Sequence, residues 1–590
     1  MNLNYLDYPR PQFVRKNWID LNGDWEFMFD DENIGLTNKW FMQKEFILNI
    51  NVPYAYQSEL SGIGKNEQHD VVWYKKKVIL EKISAKRIFL NFEACDYKTD
   101  LWINGVHIGE HCGGHVPFSF EITNAVRKDE NIIVVRVEDF NTCSQPIGKQ
   151  SWKKDNFLCW YTRTTGIWQP VWIEILEKNF IKNCKMTPNI DNGKIHLDIS
   201  VDNSHENVYL EGIISFKDKF ITKFGTSFKN GRAKLSVDVT SDDPDFRMFY
   251  WRPETPNLYD IEFKLFKNEK LMDEVKSYFG MRKISKSGRK IFLNNQEFYQ
   301  KLILDQGYFG KGLMTPTPEQ LEDDVNKIKE MGFNGVRKHQ KIEDNRFMYL
   351  CDVLGLVVWA EMPSPFEFSD ETNKNVVKEL YGLIKKHYNN PSVIAYTVLN
   401  ESWGINEVYD NPMQQNFVNS LYYLVKSLDN SRIVIGNDGW QHTISDILTI
   451  HDYTSDEKSL SMRYENFEET VDGSPSLTSL RTNYAKGYKY SGEPIMISEY
   501  GGVAYSLNSE VSSWGYGKRI TDPEKILDKI ENLTKAIMDI DYMCGFCYTQ
   551  LSDVEQEANG LLDHEHNYKF DPKRIKEILS YKHNGGFIFE

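Results

Sequence analysis

The chain has 590 residues, 41% hydrophobic and 14% aromatic, enough apolar side chain for several separate cores. Its net charge of −15, from 70 basic and 85 acidic side chains, argues against nucleic acid or an anionic membrane surface as the main partner. No apolar run approaches the roughly 20 residues of a membrane span, and the opening MNLNYLDYPRP lacks the basic and apolar regions of a secretory signal. The eight cysteines lie scattered rather than in a dense framework, so reduced thiols in a cytoplasmic protein are expected.

Residues 1–180 read as short alternating strands separated by Gly, Asn and Asp turns, the pattern of a jelly-roll β-sandwich. Ile88, Leu90 and Phe92 alternate there, and Asn104-Gly105 predicts a tight hairpin. Residues 181–283 are β again and of a length for one immunoglobulin-like sandwich. From 284 to 590 the rhythm becomes strand, then helix. FYQKLIL, NGVR, LVVWAE, VIAYTVLN, RIVIG, ILTIH, PIMISE and GFCYTQL supply eight apolar strands, which predicts a (βα)8 TIM barrel. After the first strand, Thr317 as N-cap, Pro318, Gln320 and Gly332 bracket a helix with Leu321, Val325, Ile328 and Met331 on one face.

In such a barrel the C-terminal strand ends carry the chemistry. Glu401 follows the fourth strand and Glu499 ends the seventh. Two acids converging there suit glycoside hydrolysis, in which an ionised carboxylate attacks the anomeric carbon and a protonated one gives its proton to the leaving oxygen. Other strand-end candidates are Asp305, Gln306, His339, Glu361, His451 and Tyr453, each as able to support the first layer of groups as to touch a sugar. Cys544 and Cys547 form a C-x-x-C inside an apolar strand, and His564 and His566 lack a second ligand pair, so both motifs read as structural.

With these residues in view, the chain resembles glycoside hydrolase family two over most of its length. DLNGDWEF, LWINGVHIGEHCGGHVPFSFEIT and TTGIWQPVWIE resemble its sugar-binding jelly roll. WRPETPNLY and FGMRKI resemble the end of its immunoglobulin-like domain, and FNGVRKHQKIEDNRFMYLCDVLGLVVWAEMP, VLNESWG and ISEYGG its barrel. The resemblance implies Glu401 as acid/base, Glu499 as nucleophile and Asn400 as a partner of the sugar 2-hydroxyl. Arg337 either keeps Glu499 ionised or is structural, Tyr500 is placed to position a carboxylate, and Trp403 and Trp440 either stack on sugar or pack in the core.

Several subgroup marks differ. The first strand reads YQKLILDQGY, and the segment after strand two is Lys338-His339-Gln340-Lys341. Where galactosidases and glucuronidases carry a sugar-binding Asp, about six residues before Gly166, this chain has Trp160. Where glucuronidases carry an Asn-x-Lys pair that binds the substrate carboxylate, this chain has EANGLL, with Glu557 and no Lys, while Asn567 and Lys569 make an N-x-K ten residues later. The expectation is therefore a retaining exo-acting β-glycosidase of a neutral sugar, foremost a β-galactoside. A uronidase, an arabinosidase, a transglycosylase and a non-catalytic carbohydrate-binding protein are the alternatives. No cofactor or metal is required by this chemistry. The expected partner is an oligosaccharide or glycoside, neither nucleic acid nor membrane, with a homo-oligomer left open.

Overall fold

A computed structural model describes residues 6–43, 45–81, 84–202, 207–240, 247–472, 481–505 and 514–581. The N-terminal unit is an antiparallel sandwich of one four-stranded and one six-stranded sheet. Alternation sends Ile88, Leu90 and Phe92 into a core with Trp25, Phe27, Tyr74 and Val135. Asn104 and Gly105 join Lys98–Ile103 to Val106–Cys112 with φ of 52° and 82°, the pair of positive values that a two-residue hairpin demands. The second sandwich packs a three-stranded sheet on a four-stranded one between Ile181 and Phe279.

The third unit is a near-closed barrel of eight parallel strands. In chain order they are β1 (Gln300–Asp305), β2 (Gly335–Lys338), β3 (Val357–Glu361), β4 (Val393–Asn400), β5 (Ile433–Asp438), β6 (Leu448–Asp452), β7 (Ile495–Gly501) and β8 (Met543–Thr549). Alternation divides their side chains between two layers. Leu302, Leu304, Val357, Trp359, Ile433 and Ile435 fill the barrel interior. Ile303, Val336 and Val358 face the surrounding helices. The first of these helices, Pro318–Glu330, begins with the predicted capping box of Thr317 and Gln320.

Cys544 and Cys547 are free, buried thiols on β8. His566 is also structural: its ring lies 2.6 Å from Asp324 and 2.8 Å from the Tyr308 carbonyl, while His564 is exposed. No described helix is long and apolar enough to cross a membrane. The jelly roll reaches the barrel mouth through its segment 139–165. Gly148 N–H donates to the Ser364 carbonyl at 3.1 Å, and Phe366 N–H donates to the Cys143 carbonyl at 2.8 Å.

Candidate active site

Most barrel strands are apolar through their middle and turn polar toward the C-terminal end, so charged groups collect at one mouth. Arg337 on β2 points inward, fully buried, and organises them. Its Nε donates to Glu361 at 2.7 Å, Nη1 to Glu499 at 2.9 Å, and Nη2 to Asn400 Oδ1 at 2.7 Å. Asp438, at the tip of β5, pairs with the same guanidinium at 2.6 Å. Burial opposes the charge on Arg337, but Asp438, Glu361 and Glu499 outweigh it.

Glu401 leaves β4 in a left-handed turn, with φ of 52° at Glu401 and 59° at Ser402. Asp438 accepts the Glu401 backbone N–H through its carbonyl at 2.9 Å, and Asn437 takes that of Ser402 through Oδ1 at 3.0 Å. These bonds fix the carboxylate over the mouth, where its side chain is 19% exposed against 7% for Glu499. His451 lies between the two acids. Its Nδ1 is 2.8 Å from Glu401, and its Nε2 is 3.0 Å from Asp438 and 3.4 Å from Glu499. Both ring nitrogens therefore face carboxylates, which calls for the doubly protonated imidazolium. Burial disfavours that charge, but Glu499 and Asp438 lift the pKa to about 10. Gly439 makes room for the ring: a Cβ there would meet His451 Nδ1 at 2.7 Å.

Burial alone would raise the Glu499 carboxyl, yet His451, Arg337 and His339 bring it down to about 2. The Tyr453 hydroxyl donates to it at 2.6 Å, and the Tyr453 ring stacks on Tyr516 at 3.4 Å. Glu499's depressed pKa stabilises the fold above the usual carboxylate range, an effect lost as pH falls through about 2. His451's raised pKa stabilises below the usual imidazole range, an effect lost as pH rises through about 10. His451→Asn removes the first of the charges holding Glu499 ionised, so the Glu499 pKa rises. The acidic limb of kcat/KM should move to higher pH by about one unit, read from a pH–rate profile; an unmoved limb would remove His451 from this role.

Tyr500, expected to position a carboxylate, and Asp305, a strand-end candidate for touching the sugar, both point elsewhere, and strand alternation accounts for each. Tyr500 follows inward-facing Glu499 and so faces the helices, where its hydroxyl is 2.8 Å from Thr534 and its ring packs on Phe546 and Tyr548. It does not position either carboxylate. Asp305 shares the outer face of Ile303; its carboxylate accepts from Lys338 at 2.6 Å and from the Gly307 N–H at 2.7 Å, with no side-chain exposure. It holds the strand end rather than facing a ligand. His339 supports from behind, with Nδ1 3.0 Å from Glu361, and Gln306 donates to Tyr161 and Gln550.

The aromatic wall comes from two domains. Trp403 lies 5.5 Å from Trp160 and 5.6 Å from Phe366, and Trp152 stacks on Phe366 at 4.2 Å. Trp440 meets His451 edge-on at 5.5 Å. The indole N–H groups of Trp160 and Trp440 and the Asn400 Nδ2 are buried without a protein partner. Asn567 is exposed and bonds Asp563, while Lys569 pairs with Asp553 at 2.7 Å.

Sequence reasoning passed over Asp438 and Lys149. Asp438 had a signal, an acid two residues beyond the apolar run of β5, at the strand's end. Lys149 had none, since only the docking of the jelly roll brings it here. Among the described residues, Glu401, His451 and Glu499 form one group whose potential ligand atoms lie within 4.8 Å of one another. In the structure His451 joins the two glutamates in one hydrogen-bonded cluster.

A parallel barrel with two apposed carboxylates at its C-terminal mouth, preceded by two β-sandwiches, defines the architecture of a glycosyl hydrolase. The chain belongs to glycosyl hydrolase family 2. Its sugar binding domain model matches residues 19–173, a further family 2 model residues 179–282, and its TIM barrel domain model residues 286–560. A putative beta-glucuronidase of Formosa agariphila is 24% identical over 544 residues, 88% of this chain and 61% of the relative. A beta-galactosidase of Thermoanaerobacter pseudethanolicus is 25% identical over 425 residues, 70% of this chain and 53% of the relative. The chain thus spans little more than half the length of these curated relatives. Among solved structures, a beta-glucuronidase from an uncultured Clostridium sp. superposes with a TM-score of 0.78 at 18% identity, covering 96% of this chain and 98% of that one. A GH2 beta-galacturonidase from Eisenbergiella tayi gives 0.75 at 17% identity, covering 98% and 99%.

Proposed function

We propose that the chain is a retaining, exo-acting β-glycosidase that removes a terminal sugar by double displacement. The separation of the two glutamates carries this reading. Carboxylate oxygens of Glu401 and Glu499 lie within 4.8 Å of each other. Retaining enzymes keep their carboxyls about 5–5.5 Å apart, whereas inverting ones leave roughly 6.5–9.5 Å for a water.

Glu499, ionised and fixed by Arg337 and Tyr453, attacks the anomeric carbon. Glu401, the more exposed acid, donates its proton to the leaving oxygen. A covalent glycosyl-enzyme results, and Glu401 then takes a proton from water as the ester is hydrolysed. Asn400 is oriented by Arg337 through Oδ1, so its unpartnered Nδ2 is presented to the sugar 2-hydroxyl. The jelly-roll segment 139–165 walls one side of the mouth with Trp160, which favours a single terminal residue over a threaded chain. The sugar is a hexose or hexuronic acid, the two classes named for the relatives.

The test is the anomer first released from an aryl β-glycoside, followed by proton NMR before mutarotation. Initial release of the β-anomer is expected; initial α-anomer would replace this mechanism with inversion. Added acceptor sugar measures how far the same intermediate also transglycosylates.

A further inference from the structure

Close in sequence to Glu557 the nearest lysine is Lys569, which is paired with Asp553. The folded chain brings a lysine to the same mouth from another domain. Lys149 sits in the jelly-roll loop, only 8% exposed. Its Nζ lies 4.9 Å from the ring centre of Trp403 and 6.0 Å from that of Trp160. It is close enough to Glu401 and Glu499 to feel both charges.

The position is built. Gly148, at φ of 62°, leaves no space for a Cβ against the Gln340 carbonyl, so the loop presses directly on the barrel. The Lys149 carbonyl accepts from Tyr161 N–H at 2.8 Å. Gln150 is clamped by Asp96 at 2.9 Å and by the Thr164 N–H at 2.6 Å. The backbone on both sides of Lys149 is therefore fixed, and burial keeps its side chain against the barrel mouth.

A buried cation is costly unless an anion accompanies it. Among the described residues no carboxylate forms an ion pair with Lys149. Its one side-chain hydrogen-bond neighbour among the described residues is the Cys159 thiol, which burial pushes up to about 11 and which is neutral at ordinary pH. Glu557 lies in the same region but is engaged by the Tyr161 hydroxyl and by Asn559 Nδ2, the latter at 2.9 Å. Lys569 is committed to Asp553. Lys149 is thus a cation at the mouth with no ion-pair partner among the described residues, and a single ammonium suits a monoanion.

We infer that Lys149 is a specificity-determining residue that pairs with the carboxylate of a terminal hexuronic acid, so that the substrates are β-hexuronides. This rests on the β-glycosidase reading above. The N-terminal domain then acts as more than a scaffold, supplying the charge that selects the sugar.

The test compares kcat/KM on 4-nitrophenyl β-D-glucuronide and β-D-galacturonide with the matched glucoside and galactoside. One uronide should exceed its neutral counterpart by more than tenfold. In Lys149→Met the uronide-to-neutral ratio should fall by about 100-fold, with Lys149→Arg retaining more of the preference than Lys149→Met. Lys149→Gln serves if the Met variant does not fold, and thermal melting distinguishes a lost contact from a lost fold. A neutral preference in the parent, or an unchanged ratio in a folded variant, overturns the role of Lys149 while leaving the glycosidase intact. No turnover of any member of the panel overturns the glycosidase reading instead. In that case calorimetric binding of free D-glucuronate and D-galacturonate against D-glucose and D-galactose still decides: a uronate preference lost in the variant supports Lys149, and its absence refutes it.

Discussion

Glu499→Gln should lower kcat on aryl β-glycosides by about four orders of magnitude or more, roughly 5.5 kcal/mol of activation free energy. The amide is nearly isosteric but a poor nucleophile, and it carries no charge for the anomeric centre. Its surroundings also turn against it. Arg337 and His451, which hold the native carboxylate ionised, would face a neutral group in a site where Glu499 retains 5% exposure. The fold should persist, because Glu361 and Asp438 still neutralise the guanidinium. The measurement is steady-state turnover with a thermal melt as control. Activity near that of the parent would place the nucleophile elsewhere.

Glu401→Ala should divide substrates by their leaving groups. An alkyl or sugar aglycone needs a proton as the bond breaks, and its kcat/KM should drop by ~10²–10⁴-fold. A 2,4-dinitrophenyl aglycone leaves without help, so glycosylation should stay fast and a burst of phenolate should precede a slow steady state. Azide can enter the space vacated by the side chain and attack the intermediate without base assistance. Added azide should therefore raise the steady rate and give a β-glycosyl azide. Equal losses for good and poor leaving groups, with no azide product, would reassign the acid/base. Because His451 Nδ1 contacts Glu401 at 2.8 Å, His451→Asn serves as a control: it should move the acidic limb without producing the leaving-group split.

Much of the architecture was legible because its signals are local. Period-two alternation in Ile88, Leu90 and Phe92, positive-φ residues at Asn104-Gly105 and the Thr317 capping box all act over a few residues. The eight barrel strands announced themselves as apolar runs, with Glu401 just after the fourth and Glu499 near the end of the seventh. Alternation was also informative where it was not applied. Once Glu499 faces inward its neighbour Tyr500 must face out, and Asp305 must share the outer face of Ile303.

By itself, then, the sequence determined the three-domain order, the barrel and the two acids, since each depends on residue type and short spacing. Tertiary structure alone decided which charges surround those acids. Arg337 gathers Glu361, Asp438 and Glu499 from three other strands, across separations of 24 to 162 residues. Lys149 reaches the same mouth from the jelly roll because Gly148 allows that loop to seat on the barrel. Electrostatic energy depends on distance through space and on burial, and the chain's order does not fix either until the domains have packed.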